Sequence, residues 1–277
     1  MIKRIFLSFL LCTVFLLCGC SKKEEQQPDK LSAIKERGHL IVGVKYDTKP
    51  FGFIDKDNVL KGYDVDLARA LAGKICGNEK NVVFKQVSPS NRISKLNSGE
   101  VDILIATMTI TPQREEVVRF SKPYYTVGQA IMVPKGSPIE TIANLNGKRT
   151  IVVLGTTGEK NLRRFAPEAR VLGYRTYEQA FQALKEKRAM AFTSDDTILS
   201  GFAQDYPEFI ILPQRYTKEG YAIAMQKGES TDSLALDINH ILEEMTRDGT
   251  LVALKHKWVP SESDKQILSK RLKRQIK

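Results

Sequence analysis

Short apolar runs alternate with amphipathic segments along most of this 277-residue chain. Runs such as LIVGV at 40–44 have the composition of strands that are buried on both faces of a parallel sheet. Between two such runs, Val65, Ala68 and Ala72 follow one another at spacings of three and four, which places them on one face of a helix. Strands that alternate with helices predict right-handed βαβ units. The chain is therefore predicted to be an α/β protein with mainly parallel sheets.

The alternation occurs in two series, separated by the proline- and glycine-containing stretch at 134–138. The predicted elements are strands at 40–44, 82–84, 101–106, 150–154, 189–193, 209–212 and 221–225, and helices at 62–72, 92–99, 177–188, 231–258 and a segment ending near 165. Short apolar crossings near 128–133 and 220–225 would join the two series. This arrangement predicts two lobes with a cleft between them, where small-molecule sites are common.

The first twenty residues indicate the compartment. A basic start at 1–4 precedes an apolar run at 5–17, and a bilayer span needs about 20 apolar residues. The pattern is typical of a secretory signal peptide. The sequence LCGC at 17–20 resembles the lipobox of bacterial lipoproteins, which implies acylation of Cys20 after cleavage before it. A signal peptide cut elsewhere, or a weak membrane anchor, remains an alternative.

The same observations divide the chain. Residues 1–19 are predicted to be the signal peptide, and residues 20–38 the acylated cysteine and a flexible tether, because 21–28 contains no large apolar residue. One lobe is predicted to be discontinuous, with 39–129 and 223–277, and the other to comprise 130–222. Only Cys76 then remains in the folded body, which excludes an internal disulfide.

The net charge of +11 would suit a nucleic-acid-binding protein, but its distribution does not. Lys3 and Arg4 leave with the signal peptide, and six further basic residues lie within 265–277 with no acidic residue among them. The globular part is therefore close to neutral. An exported protein also has little access to nucleic acid, so that partner class is excluded.

Several motifs resemble one known family. The chain carries GVKYD at 43–47, PFGF at 50–53, GYDVDL at 62–67, IATMTIT at 105–111, Arg114, FSKPYY at 120–125 and LNGK at 145–148. In this order and spacing, the set resembles the polar amino-acid (family 3) solute-binding proteins of ABC importers, particularly the aspartate-, glutamate- and glutamine-binding lipoproteins. The resemblance implies a monomeric, two-lobed type II periplasmic-binding-protein fold with two hinge crossings, and a free L-amino acid and an ABC permease/ATPase complex as partners.

Arg114 is the leading candidate for binding the ligand's α-carboxylate. It follows a predicted strand end and a Thr/Pro turn, and a guanidinium there can hold a carboxylate through two parallel hydrogen bonds. The resemblance implies this role with help from Thr109, and Thr107 of the same motif is included in the candidate site. The alternative for Arg114 is a surface salt bridge to Glu115 or Glu116.

Two candidates lie in the second series. Thr157 and Gly158 open a predicted helix, whose free backbone N–H groups attract an anion, although Thr157 could equally be an ordinary N-cap. Asp195 follows the predicted strand at 189–193, and the resemblance implies an acidic residue here that meets the ligand's ammonium group. The neighbouring Asp196 leaves open which of the two binds the ligand and which caps the next helix.

Three residues concern the ligand's side chain. Lys45, Arg92 and Tyr177 match positions that face the side chain in aspartate- and glutamate-binding relatives. Cations beyond Arg114 would favour a second carboxylate, because a neutral ligand leaves buried charge uncompensated. Alternatively, Lys45 is solvated, Arg92 pairs across its own helix and Tyr177 only packs. We predict glutamate or aspartate, followed by glutamine or another small polar amino acid such as cysteine.

The sequence thus predicts an extracytoplasmic lipoprotein, anchored to a bacterial membrane, that delivers an amino acid to an ABC transporter by cleft closure. A dehydratase-like enzyme or a sensor on the same fold is the alternative. His39, His240 and His256 lack the spacing of metal ligands, and neither a nucleophile elbow nor an HExxH motif occurs. No catalytic residue, metal or cofactor is predicted.

Overall fold

A computed structural model describes residues 29–259 of the chain. The strands are β1 Leu40–Val44, β2 Asp47–Thr48, β3 Gly52–Ile54, β4 Leu60–Lys61, β5 Val82–Gln86, β6 Ile103–Leu104, β7 Val118–Val127, β8 Gln129–Pro134, β9 Arg149–Val153, β10 Arg170–Tyr174, β11 Ala191–Asp195, β12 Phe209–Ile211 and β13 Glu219–Gln226. The helices are α1 Lys30–Arg37, α2 Tyr63–Cys76, α3 Arg92–Asn97, α4 Pro112–Glu115, α5 Thr157–Phe165, α6 Tyr177–Lys185, α7 Asp196–Asp205, α8 Asp232–Arg247 and α9 Thr250–Trp258. Short 3-10 helices cover Ile142–Leu145 and Glu229–Thr231.

The strands form two five-stranded sheets and one small antiparallel sheet. The first sheet has the order β5-β1-β6-β13-β7, the second the order β10-β9-β11-β8-β12, and β2, β3 and β4 make the third. In the first, β1 pairs in parallel with β5 and β6, whereas β13 is antiparallel to β6 and β7. The second repeats this pattern, with β9 parallel to β10 and β11 and β8 antiparallel to β11 and β12. The α/β class is as predicted, but the sheets are mixed, because β7, β8 and β13 come from the segments that pass between the sheets.

The passage between the sheets is shorter than the sequence indicated. Gly128 alone separates β7 in the first sheet from β8 in the second. On the return, β13 is already paired with β7 from Glu219, opposite Val127, onward. Residues 219–222 were predicted to lie in the second lobe, but their backbone hydrogen bonds place them in the first sheet. The return therefore ends before residue 219.

The predicted tether over 20–38 is also wrong in part, because α1 occupies its last residues. Asp29 caps this helix by accepting a hydrogen bond from the backbone N–H of Ser32 at 2.9 Å. Ile34 is fully buried, and Lys30 and Arg37 both form ion pairs with the buried carboxylate of Asp102. Ile34, the partly buried Leu31 and these charges hold the helix against the first lobe. Residues 1–28, including Cys20, and the basic tail at 260–277 lie outside the described residues.

The long helix predicted at 231–258 is divided. Gly249 has a φ of 84°, a left-handed conformation that ends α8 and redirects the chain into α9. Elsewhere, α2 buries Val65, Ala68 and Ala72 as their spacing predicted. The main core includes α2, the apolar side chains of β1 and β13, and much of α6 and α8. Over residues 29–259, no helix combines the length and the apolar character that a bilayer span requires.

Candidate ligand-binding site

The predicted site residues lie where strands of the two sheets end or where helices begin. Lys45 follows β1, Thr107 and Thr109 follow β6, and Arg92 and Arg114 lie in α3 and α4. From the other sheet, Thr157 begins α5, Tyr177 begins α6 and Asp195 ends β11. Ligands of α/β folds bind in this position, because the ends of strands leave polar groups free at the sheet edge.

Arg114 connects the two lobes. Its backbone is set by the N-cap Thr111, whose hydroxyl accepts the N–H of Arg114 at 3.3 Å. The guanidinium donates through Nη1 to the carbonyl of Thr109 at 2.6 Å and through Nη2 to the carbonyl of Gly155 at 3.1 Å. Burial lowers the pKa of Arg114. The guanidinium thus points toward the second lobe rather than toward the surface glutamates on its own helix.

Gly155 lies two residues before α5, so its contact with Arg114 brings the guanidinium to the start of that helix. The N-cap is Thr156, and Thr157 is therefore the first helical residue rather than the cap. Thr157 is buried, and the carbonyl of Gly158 accepts from Nε2 of Gln129 at 3.2 Å. A cation and a set of free backbone N–H groups thus meet at one place, which suits a carboxylate.

Asp195 is buried, and its carboxylate accepts a hydrogen bond from the hydroxyl of Tyr221 on β13. Burial raises the pKa of Asp195 to about 6. Asp196 instead pairs with Arg215 at 2.8 Å. Oδ1 of Asp196 also accepts from the backbone N–H of Gly128, between the two sheets, at 3.4 Å, so Asp195 is the acid that reaches a strand of the first sheet. Tyr221 was not identified from the sequence, where it marked only an apolar strand.

Lys45 is 1% exposed, and its Nζ has no hydrogen-bond partner among residues 29–259. The Nζ lies 4.3 Å from the ring centre of Tyr177, whose backbone N–H donates to Oδ2 of Asp47 at 3.3 Å. Tyr177 therefore packs and also faces a cation across the cleft. Burial, with a further contribution from the charge of Arg92, lowers the pKa of Lys45 to about 7.

Arg92 is 2% exposed and does not pair across its own helix. Its Nη1 donates to the carbonyl of Ala106 at 2.9 Å, whereas its Nε has no partner within the described part of the chain. Burial and the neighbouring charge of Arg114 lower the pKa of Arg92 to about 9. Arg92 also acts electrostatically on Lys45, so the three cations share one region of the cleft.

Thr107 has a φ of 46°, which is uncommon for a β-branched residue. Its backbone N–H donates to Oδ2 of Asp64 at 3.0 Å, while the hydroxyl of Tyr124 donates to Oδ1 of the same carboxylate at 2.9 Å. Burial raises the pKa of Asp64 to about 6. Oγ1 of Thr107 is a buried hydroxyl oxygen without a partner in the described residues. Asp64 was interpreted from the sequence only as an acid in the first turn of a helix, so its support of Thr107 was missed.

Comparison with known proteins decides the family. Residues 40–261 match the sequence model of the bacterial extracellular solute-binding proteins, family 3. This chain belongs to that family. The family 3 protein is 38% identical over 268 residues to the ABC transporter glutamine-binding protein GlnH of Bacillus subtilis, a match covering 93% of this chain and 97% of GlnH. It is 32% identical to the glutamate-binding protein GluB of Corynebacterium efficiens, over 84% of this chain and 81% of GluB.

A solved structure supports the fold. The family 3 protein resembles the solute receptor for L-cysteine of Neisseria gonorrhoeae with a TM-score of 0.79 and 33% identity, over 83% of this chain and 93% of that one. The predicted type II periplasmic-binding-protein fold and the predicted family are thereby confirmed. The chain belongs to a family of amino-acid-binding solute-binding proteins that serve ABC transporters.

Aromatic rings cluster in the core of this solute-binding protein beside Asp195, to which the hydroxyl of Tyr221 donates. Phe51 is fully buried, and its ring lies 5.3 Å from Tyr125 and 5.4 Å from Tyr221, both edge to face. Tyr63 stacks on Tyr124 at 5.9 Å. The motifs at 50–53 and 120–125 supply most of these rings, but their sequences do not reveal that the rings converge. Rigid, apolar surroundings strengthen the charged contacts beside them.

Two further contacts join the lobes of the solute-binding protein. Nδ2 of Asn161 on α5 donates to Oε1 of Glu219 at the start of β13, at 2.8 Å. Lys49 pairs with Asp205 at 2.8 Å at the exposed edge of the cleft. The two lobes are thus in contact around the site. Across residues 29–259, no group of three or more His, Cys, Asp and Glu side chains could hold a metal ion.

Proposed function

We propose that this solute-binding protein captures a free acidic amino acid, glutamate or aspartate, and delivers it to an ABC importer. One observation carries the choice of ligand: Nζ of Lys45 and Nε of Arg92 are buried donors with no acceptor among the described residues. A buried cationic donor without an acceptor costs more free energy than almost any other polar defect. The ligand's side chain is the group that would supply the acceptor.

The backbone part of the ligand is common to all amino acids. Its α-carboxylate fits between the guanidinium of Arg114 and the start of α5 at Thr157, with Thr109 beside them. Its α-ammonium fits Asp195, the buried carboxylate on the opposite lobe. These contacts place a cation against the carboxylate and an anion against the ammonium, so a zwitterion is held at both ends. Gly158 contributes its backbone N–H group to this helix start.

The side-chain part of the site distinguishes ligands. A distal carboxylate has two oxygens and a charge, and can accept from Lys45, from Arg92 and from Oγ1 of Thr107. Tyr177 lies under Lys45 and adds a flat apolar surface for the ligand's methylene groups. A short apolar side chain would leave all three polar groups without partners, which disfavours it strongly. Acidic ligands satisfy the largest number of these groups.

Glutamine is the second candidate, because the B. subtilis relative of 38% identity is a glutamine-binding protein. Its amide oxygen can accept from the same donors as a carboxylate oxygen. Its NH2 group needs an acceptor instead, which the cationic forms of Lys45 and Arg92 do not offer. Cysteine is a further alternative, in view of the cysteine receptor of similar structure.

The proposed delivery cycle uses closure of the cleft. The ligand meets Arg114 and Thr109 on the first lobe, and the second lobe then brings Thr157, Tyr177 and Asp195 against it. The closed, liganded monomer would dock on the permease of the importer. Acylation of Cys20 would anchor the protein at the outer side of a bacterial membrane, with the segment before α1 as the tether.

Calorimetric titration tests the function. The protein from residue 29 onward would be unfolded and refolded to remove bound ligand, then titrated with glutamate, aspartate, glutamine and cysteine. We expect micromolar or tighter binding of an acidic ligand. Tight binding of glutamine or cysteine alone would retain the family function and reject the acidic assignment. No binding of any amino acid would favour the sensor or dehydratase-like alternatives.

Small-angle scattering tests cleft closure. The protein should become more compact when it is saturated with a tightly bound amino acid, and the absence of compaction would reject closure.

A further inference from the structure

Lys45 is an unusual lysine, because its charge has no direct partner. The side chain is buried, and its Nζ has no hydrogen-bond partner within residues 29–259. A buried ammonium without an acceptor is strongly destabilised relative to the neutral amine, whereas a buried arginine remains charged. Of the two cationic donors without acceptors, Lys45 is therefore the one that can change its charge.

The groups around Lys45 have opposing effects on the equilibrium between its ammonium form and its neutral amine form. The ring of Tyr177 from α6 lies 4.3 Å from Nζ, and the charge of Arg92 from α3 disfavours a second cation. Three carboxylates favour the ammonium: Asp47 from β2, Asp195 from β11 and Asp64 from α2. Burial and Arg92 outweigh them, and the pKa of Lys45 falls to about 7.

The two protonation states offer different chemistry to a ligand. The ammonium donates three hydrogen bonds and accepts none. The neutral amine keeps a lone pair and can accept from an amide N–H. We propose that Lys45 sets the class of ligand by changing its own charge, binding a carboxylate side chain as the ammonium and a carboxamide side chain as the neutral amine. This inference rests on the proposed function and explains how one site could serve glutamate and glutamine.

The two ligands should differ in the number of protons that Lys45 takes up on binding. Near pH 8 the ligand-free lysine is mostly neutral, so glutamate binding draws one proton from the buffer onto Nζ of Lys45. Glutamine binding leaves Lys45 neutral and draws none there. Proton exchange by Asp195 and by the ligand's own amino group occurs with either ligand, so it largely cancels in the comparison.

The test is calorimetric titration at about pH 8 in two buffers of different ionisation enthalpy, such as phosphate and Tris. With a pKa of about 7, roughly nine-tenths of Lys45 is neutral there, so glutamate should take up ~0.9 proton more than glutamine. The ratio of glutamate to glutamine affinity should fall up to about tenfold for each pH unit above 7. Lys45→Arg, which stays charged, should bind glutamate without this extra proton and should bind glutamine more weakly. Lys85→Met, at an exposed position on β5, is the matched control and should behave as the wild type.

The possible results distinguish failure of the inference about Lys45 from failure of the proposed amino-acid-binding function. Equal proton uptake with both ligands, or extra uptake that persists in Lys45→Arg, would overturn the inference and leave the amino-acid-binding function intact. Failure of glutamine to bind anywhere between about pH 7 and pH 9 would overturn the neutral-amine state. Failure of every amino acid to bind would overturn both this inference and the proposed function. If Lys45→Arg does not fold, the wild-type comparison of the two ligands is still decisive.

Discussion

The hydroxyl of Tyr221 donates a hydrogen bond to the carboxylate of Asp195, joining β13 of the first sheet to β11 of the second. The carboxylate proposed to meet the ligand's ammonium is therefore already held by the opposite lobe. Burial nevertheless raises the pKa of Asp195 to about 6, although this hydrogen bond opposes the shift. The ionised carboxylate of Asp195 is therefore not fully stabilised by its surroundings, and an ammonium group beside it would stabilise it further.

The first prediction concerns the pH dependence of glutamate affinity. An ammonium ligand stabilises ionised Asp195, so binding below the ligand-free pKa of about 6 must first remove a proton. Affinity should be nearly constant from pH 7 down to about 6, and should then fall up to about tenfold per pH unit. Lys45 is about half protonated at pH 7 and almost fully protonated at pH 6, so it changes glutamate affinity by no more than about twofold over this range. Titration calorimetry from about pH 7 to pH 5 measures the profile. In Asp195→Asn the affinity should be lower and the slope reduced, and an unchanged slope would assign it to another group.

The second prediction is that Arg114→Ala abolishes binding of every amino acid. The α-carboxylate would be left buried against the start of α5 without its cation, and removing one partner of a buried ion pair costs about 3–5 kcal/mol, or at least a hundredfold in affinity. Arg119→Ala is the matched control, because Arg119 pairs with the exposed Asp232 on the outside of the first lobe. Equal losses of affinity in the two variants would contradict the assignment of Arg114.

The third prediction tests closure at Gly201 on α7. A Cβ at this position would lie 2.4 Å from the carbonyl oxygen of Lys49, so the two lobes could not approach as closely. Gly201→Ala should weaken ligand binding, while the ligand-free protein gains up to about 1 kcal/mol from the better helix former. Denaturation and titration calorimetry separate the two effects.

A neighbouring change provides the control for Gly201. Asp205→Ala removes only the exposed ion pair with Lys49, which is worth at most about 1 kcal/mol. Its affinity should therefore stay within about fivefold of the wild type. If Gly201→Ala bound ligand as well as Asp205→Ala, the close approach of α7 to Lys49 would not be required for binding.

The fourth prediction concerns Asp64 and folding stability without ligand. Burial raises its pKa to about 6, above the unfolded value, so the folded state prefers the protonated acid. This contribution is fully present below about pH 4 and is lost as the pH rises through about 6. Relative to Asp64→Asn, the wild type should lose roughly 2–3 kcal/mol of unfolding free energy between pH 4 and pH 7. Urea unfolding at both pH values measures the difference, and a pH-independent difference would contradict it.

Much of the fold was predictable, because local patterns carry it. The strand at 40–44 has the predicted bounds, and α5 ends at Phe165 as expected. By contrast, β7 was not recognised as a strand, because Pro123 and charged residues interrupt its apolar pattern. Its strand structure depends on pairing with β13, which tolerates the proline through shifts in register near Tyr221 and Ala222.

In the binding site, too, some features were predictable from local sequence and others depended on the tertiary structure. The sequence, through its resemblance to family 3 proteins, suggested Lys45, Arg92 and Asp195 as candidate site residues, and the motifs that carry this resemblance are local. Only the tertiary structure decided which of them lack a partner and which are held by residues far along the chain, as Asp64 holds Thr107 and Tyr221 holds Asp195. Sequence specifies the order of charges along the chain, whereas burial and pairing depend on distances between segments that meet only after folding, and these set the charge of Lys45 and of Asp195.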